Sequence, residues 1–448
     1  MTTWFMNINR RKSEMNNQES NTKLTKRRWI VLTASCVANL CIGAIYAWSV
    51  FAGPMAEHLN MLNGTAKTSA DLAVVFSICN GLAFITMIAG GYLDKKLGAK
   101  WIIFIGVVAF GLGFVVCGFS KNVATLIIGF SIICGLANGF AYVCTVSNTV
   151  KFFPDKKGLA GGISTASFGI SSVIVPPIAN VLNNSVGVCR AFTIFGVAII
   201  VIGALCSLFI INCPDDFAPD GWNPEDNVLA EDVTTENKTA KQMLSSPIFY
   251  AMIGMMFIGC SVGLMVISEA SGVAQNMIGM TTGAAALVVS ALALFNTGGR
   301  IVVGGISDRI GRINAIAVIL VLMIGSLLMI YFSGGLKNAP MFCIGICLIG
   351  FCYGAFIGIY PAFTSDQFGV KYSTLNFGIM FIGFSAAGFA GPMMMQRIFN
   401  NTGSYRMAFL AAVIFAVAGL AISFIYRVLQ KKKQMPEGVK SLEVESEY

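Results

Sequence analysis

Apolar residues in this chain come in long blocks rather than in alternation. Twelve runs stand out, at about 29–52, 70–93, 101–119, 123–150, 158–182, 190–211, 247–271, 282–306, 314–333, 339–364, 374–398 and 406–427, with most charged residues in the stretches between them. A helix needs about 20 apolar residues to cross a hydrocarbon layer roughly 30 Å thick. The period inside the runs is helical, which excludes a β-barrel. The least obvious run, 158–182, is rich in Gly and Ser and carries Pro176-Pro177. The pattern predicts an all-α membrane protein with twelve transmembrane helices.

Composition agrees: 56% of the 448 residues are apolar and 11% are charged, where a soluble domain carries about 25% charged residues. Residues 1–28 are polar and basic, so the first run reads as a retained span rather than a secretory signal. The 13 Cys form no CxxC pair. They sit mostly inside the runs, as do Cys79, Cys134 and Cys260, and read as packing residues rather than metal ligands.

Charge sets the orientation. Of the 30 Lys and Arg, Lys67, Lys121, Arg190, Lys337, Arg397 and Arg406 fall on one side and Arg300 lies within a span, which leaves 23 on the other side. The positive-inside rule then predicts cytoplasmic termini. The net charge of +9 is a topology signal that suits an anionic lipid leaflet and calls for no nucleic acid. Residues 212–246 are acidic and Pro-punctuated, which predicts a mobile cytoplasmic linker. The expected organisation is a tail at 1–28, a six-helix half at 29–211, the linker at 212–246, a second six-helix half at 247–427 and a tail at 428–448.

The halves repeat each other. GGYLDKKLGAK (90–100) follows the second run and GGISDRIGR (304–312) the eighth, while Gly135, Gly139 and Phe153 align with Gly350, Gly354 and Phe368. Two matches at nearly one offset imply a duplicated six-plus-six transporter. The paired glycines allow close helix approach. Asp94 and Asp308 end their helices at the cytoplasmic side, where an acid is poorly placed for its own helix dipole. Each is expected to serve a basic residue in its loop or another helix's N-terminus, as a latch formed in one state and broken in the other. The set is Asp94, Lys95, Gly98, Asp308, Arg309, Gly311 and Arg312; the plainer reading is a surface turn with topogenic charges.

Arg300 stands out on physical grounds, because a cation inside a span is costly and faces a cavity or a partner. Its repeat mate is Thr86, so the scaffold itself does not require the charge. The alternatives are snorkelling or pairing with Asp308, about 12 Å along the axis. A guanidinium matches a carboxylate through two parallel bonds. Asn296, four residues earlier on the same face, can donate to the same anion or orient Arg300. Tyr46, Trp48, Tyr142, Tyr353 and Tyr360 complete the candidate site as hydroxyl donors and shaping rings, against a reading as packing or interface aromatics. Trp29 and Trp101, which start their runs, read as belt anchors. Glu269, an acid within an apolar stretch of the seventh run, is the candidate proton carrier. Asp71 and His58 read as solvated.

The chain resembles the major facilitator superfamily through its duplicated loop motif. Within that superfamily it is similar to the oxalate:formate antiporter family, which is related to the monocarboxylate transporters. The residues that carry the likeness are GAIYAWSVFAGP (43–54), NGFAYVCTVSNTVKFFPDKKGLAGG (138–162), GLMVIS (263–268), FNTGGRIVVGGISDRIGR (295–312) and YPAFTSDQFG (360–369). The resemblance implies the major facilitator fold, with two pseudo-symmetric six-helix halves and transport by alternating access. In the monocarboxylate transporters an acid stands where this chain has Asn296. The oxalate transporters place a lysine in helix eleven where this chain has Phe384. With one central cation, the expected substrate is a small monocarboxylate such as lactate, pyruvate or formate, moved with protons or by exchange. The alternatives are an oxalate/formate-type dicarboxylate exchanger and a neutral-solute or drug carrier. The chain carries no P-loop, paired carboxylates or nucleophile–His set, so an enzyme is not expected, nor a cofactor. The partners expected are a small organic anion and the lipid bilayer, with the protein a monomer in the plasma membrane.

Overall fold

The computed structural model describes residues 2–69, 71–214, 217–222 and 236–434, with side chains described from residue 21 to 432. Among these residues the regular secondary structure is helical, and twelve helices are long and apolar enough to span a membrane. They are α1 (Asn21–Asn63), α2 (Ala73–Leu97), α3 (Ala99–Gly118), α4 (Val123–Phe152), α5 (Lys157–Val186), α6 (Val188–Phe209), α7 (Pro247–Ile278), α8 (Thr282–Ile310), α9 (Arg312–Leu336), α10 (Ala339–Phe368), α11 (Ser373–Thr402) and α12 (Tyr405–Lys432). Every apolar run of the sequence corresponds to one of them. The helices mostly extend beyond the runs, because helical hydrogen bonding continues into polar residues that hydropathy leaves out. Helix continues upstream of α1 to Thr2. Of the acids expected to mark the linker, Asp215, Asp216, Glu225, Asp226, Glu231 and Asp232 lie outside the described residues, as does the tail from 435.

Large apolar side chains such as Leu287, Val181 and Ile414 are exposed on the helix surfaces, as a lipid-facing surface requires. The chain forms two compact units: Met1–Asn237 with Pro361–Gly378, and Lys238–Tyr360 with Ile379–Tyr448. The first unit thus takes in the end of α10 and the start of α11.

Small residues set the helix crossings. In the first unit, α2 and α4 meet where a Cβ on Gly139 would collide with Ala83 and Thr86, and one on Gly135 would lie 2.7 Å from the Cys79 carbonyl oxygen. In the second unit, α8 and α10 meet the same way: a Cβ on Gly350 would lie 2.6 Å from the Leu292 carbonyl oxygen, and one on Gly354 would collide with Asn296. The aligned glycines of the repeat therefore build matching crossings.

Candidate functional site

In the second unit, α8 carries Arg300 and Asn296 one turn apart. Arg300 is only 3% exposed, and its Nε donates to Asn296 Oδ1 at 3.2 Å. A Cβ on Gly358 of α10 would lie 2.6 Å from the Arg300 carbonyl oxygen, so glycine at 358 lets α10 lie directly against this turn of α8. The geometry is that of a guanidinium fixed by a neutral amide. The planar fork of a guanidinium can match an anion through two parallel bonds. Asp308, the acid two turns along, holds Arg312 at 2.7 Å.

Three aromatics expected to help build a site are buried. Tyr360 is fully buried and its hydroxyl donates to the Met252 carbonyl at 2.7 Å. Tyr353 is buried with its ring over Gly263. Trp48 is buried in the first unit with its ring centroid 4.5 Å from that of Phe130. Burial of a large ring against glycine or another ring is invisible to periodicity, which marks the face but not its occupant.

Tyr46 and Tyr142 are brought together. Both meet Phe168 of α5 edge-on, at 5.4 and 5.0 Å between centroids. Tyr46 lies in a 3₁₀ stretch, Gly43–Ala47, that interrupts α1. The interruption sits where a Cβ on Gly43 would come within 2.6 Å of Ser171 Cβ. Beneath this trio lies a bonded polar set: Thr145 donates to Asn39 Oδ1 at 2.6 Å, and Asn39 Nδ2 donates to the Ser164 carbonyl at 2.8 Å.

Glu269, on α7, accepts from Gln396 Nε2 of α11 at 2.9 Å. A Cβ on Gly272 would lie 3.3 Å from Glu269 Oε2 and 3.5 Å from the Tyr405 hydroxyl. The carboxylate therefore sits between polar groups of α11 and α12.

The two motif acids behave differently. Asp94 lies 3.6 Å from Lys151 Nζ and accepts from the Thr374 hydroxyl at 2.7 Å, in the first turn of α11. Lys95 places its ammonium 3.7 Å from the Tyr372 ring centroid. Asp308 instead closes on Arg312, four residues on, while Arg309 is exposed. The motif glycines are explained by backbone: Gly98 has φ 77° and Gly311 φ 90°, a region that side chains other than glycine's rarely enter.

The fold and the paired motif geometry narrow the family, and comparison decides it: residues 31–392 match the Major Facilitator Superfamily. This chain belongs to that superfamily. It is an integral, multi-pass membrane transporter and not an enzyme. The oxalate:formate antiporter of Oxalobacter formigenes is 26% identical, over 94% of this chain and 97% of its own length. YhjX of Escherichia coli, an uncharacterized MFS-type transporter, is 28% identical over 80% of this chain and 85% of its own. Among solved structures, the human organic anion transporter MFSD10 (TETRAN) superposes with a TM-score of 0.68 at 13% identity, covering 88% of this chain and 99% of that one. At that identity the likeness is one of fold.

One pairing in this superfamily member had no warning in the sequence. Lys157, at the start of α5, holds Asp366 at 2.7 Å, with side chains 9% and 7% exposed. Lys157 reads as one more topogenic loop charge. Asp366 is an acid just past the tenth apolar run. Arg28 similarly looks like a tail charge but is buried, bonding both oxygens of Asp155 at 2.7 and 3.2 Å.

Proposed function

We propose that this transporter carries small monocarboxylates, of the lactate, pyruvate or formate class, by alternating access, driven by protons or by exchange. The observation that carries the reading is Arg300: a buried guanidinium within a span, oriented by Asn296, at a position where the repeat needs only Thr86. A cation within a span is costly and faces a cavity or a partner. Tyr46 and Tyr142, which share Phe168, and Tyr353, Tyr360 and Trp48 are proposed as further substrate-binding residues.

Glu269 is the proposed proton carrier, and Asp94, Lys95, Gly98, Asp308, Arg309, Gly311 and Arg312 form the conformational latch. The charge asymmetry places both termini and the 212–246 linker in the cytoplasm. The protein is proposed to act as a monomer in the plasma membrane.

The relative named an oxalate:formate antiporter favours a dicarboxylate as the second reading. Against it stands Phe384, which packs 4.4 Å from Phe381 where that family's lysine is expected. A second carboxylate would then be buried without a partner, at a cost of several kcal/mol. The test is uptake of labelled lactate, pyruvate, formate and oxalate into proteoliposomes, with and without an inward proton gradient. The proposal expects monocarboxylates to be preferred at least tenfold and Glu269→Gln to abolish any response to the gradient. Preferred oxalate uptake would overturn it.

A further inference from the structure

Glu269 is half-buried on α7 of the second unit, and among the described residues no cation pairs with it. Its Oε1 accepts from Gln396 Nε2 of α11 at 2.9 Å. Its Oε2 lies beside Gly272, where a Cβ would come within 3.3 Å of Oε2 and 3.5 Å of the Tyr405 hydroxyl of α12. The Tyr405 ring is stacked on Phe399, with centroids 4.1 Å apart. The cations on the surrounding helices are engaged elsewhere or exposed. Arg300 of α8 bonds Asn296, and Arg406 of α12 donates to the Tyr331 carbonyl of α9 at 3.2 Å. Arg397 of α11 and Lys337, just past α9, are exposed. Protonating Glu269 therefore breaks no ion pair, and the Gln396 amide is the bonded partner that must accommodate the change.

We infer that Gln396 is a positioning residue for the transported proton, bonding Glu269 in both of its protonation states. The inference rests on the reading of Glu269 as proton carrier. An amide has a donor end and an acceptor end. With Glu269 ionised, Nε2 donates to the carboxylate, as the structure shows. With Glu269 protonated, the amide turns over and its oxygen accepts from the new O–H. The proton comes from water and stays on Glu269, and no other proton moves. The bond between α7 and α11 thus survives the cycle. A donor to a carboxylate favours its charged form. Replacing Gln396 by a residue without donors therefore lets Glu269 take its proton at higher pH. For a bond at an exposed position the shift is about half a unit to one unit. A second carboxylate in place of the amide favours the protonated form further and shifts the midpoint by more than about one unit.

The test is the pH profile of initial lactate uptake into proteoliposomes holding the full-length wild type, Gln396→Leu, Gln396→Glu or Glu269→Gln. Protein levels are matched and the heat stability of each purified protein is followed. The expected result is a midpoint that moves up in Gln396→Leu, moves up further in Gln396→Glu, and is lost with the pH dependence itself in Glu269→Gln. A purely structural role for Gln396 would lower the maximal rate and leave the midpoint in place, which overturns the inference while the proton-carrier reading stands. A downward shift in either Gln396 variant overturns it too. If the wild type shows no pH dependence, or Glu269→Gln keeps the wild-type profile, the proton-carrier reading fails and the inference falls with it. No lactate uptake by the wild type at any pH removes the monocarboxylate reading and the inference together.

Discussion

Thr86 and Arg300 occupy the same place in the two copies of one design. Each lies on the second helix of its half, at a crossing with the fourth helix that runs over paired glycines. Thr86 needs nothing from outside: its hydroxyl donates to the Ala83 carbonyl of its own helix at 3.0 Å. Arg300 brings a full charge into the same buried setting and draws on Asn296 to hold it. The crossing is common to the two halves and the charge is not. Asp94 engages Lys151 and the first turn of α11, and Asp308 holds Arg312.

The first way to break the comparison is to give Thr86 the charge. Thr86→Arg would crowd Gly139 and bury a cation with no amide beside it, so little folded protein should reach the membrane, as read by fluorescence-detected gel filtration. Normal accumulation would show that the α2–α4 crossing is looser than the glycines indicate. The next is to remove the support from Arg300. Asn296→Ala takes away a bond to a charged group, typically about 1.5–3 kcal/mol, and should weaken lactate uptake roughly tenfold or more at unchanged protein level. Asp94→Asn should slow exchange several-fold with little change in apparent affinity. Asp308→Asn is expected to slow exchange in the same way. Loss of substrate binding in either variant, with the fold intact, would remove the latch role.

The smallest effect belongs to Asp71. Donors from the Thr68 backbone and hydroxyl, at 2.7 and 2.9 Å, hold its carboxyl below the usual range. A lowered carboxylate contributes stability above its unfolded value and loses it as pH falls through the folded one. Asp71 thus stays ionised across mildly acidic and neutral pH, and Asp71→Asn should leave the pH profile of uptake unchanged.

The twelve spans and the duplication were legible in the sequence because bilayer thickness and helical rise leave little freedom. The glycines of the α2–α4 and α8–α10 crossings were legible for the same reason, since the repeat aligns them. Arg300 and Asn296 share a face by simple spacing. Lys157 and Asp366 were not legible: 209 residues separate them, and each alone looks like a solvated charge. Nor could spacing show that the Tyr360 hydroxyl bonds the Met252 carbonyl. That depends on which group arrives opposite, and no helical period encodes it.

The most direct test of Arg300 is lactate uptake by wild type and Arg300→Lys, side by side in proteoliposomes at equal protein level. Lysine keeps the charge but cannot reproduce the planar fork or the Nε bond to Asn296. The account predicts that Arg300→Lys loses at least nine-tenths of the lactate flux, about 1.4 kcal/mol at tenfold, while the protein stays folded. Undiminished lactate flux in Arg300→Lys would contradict it.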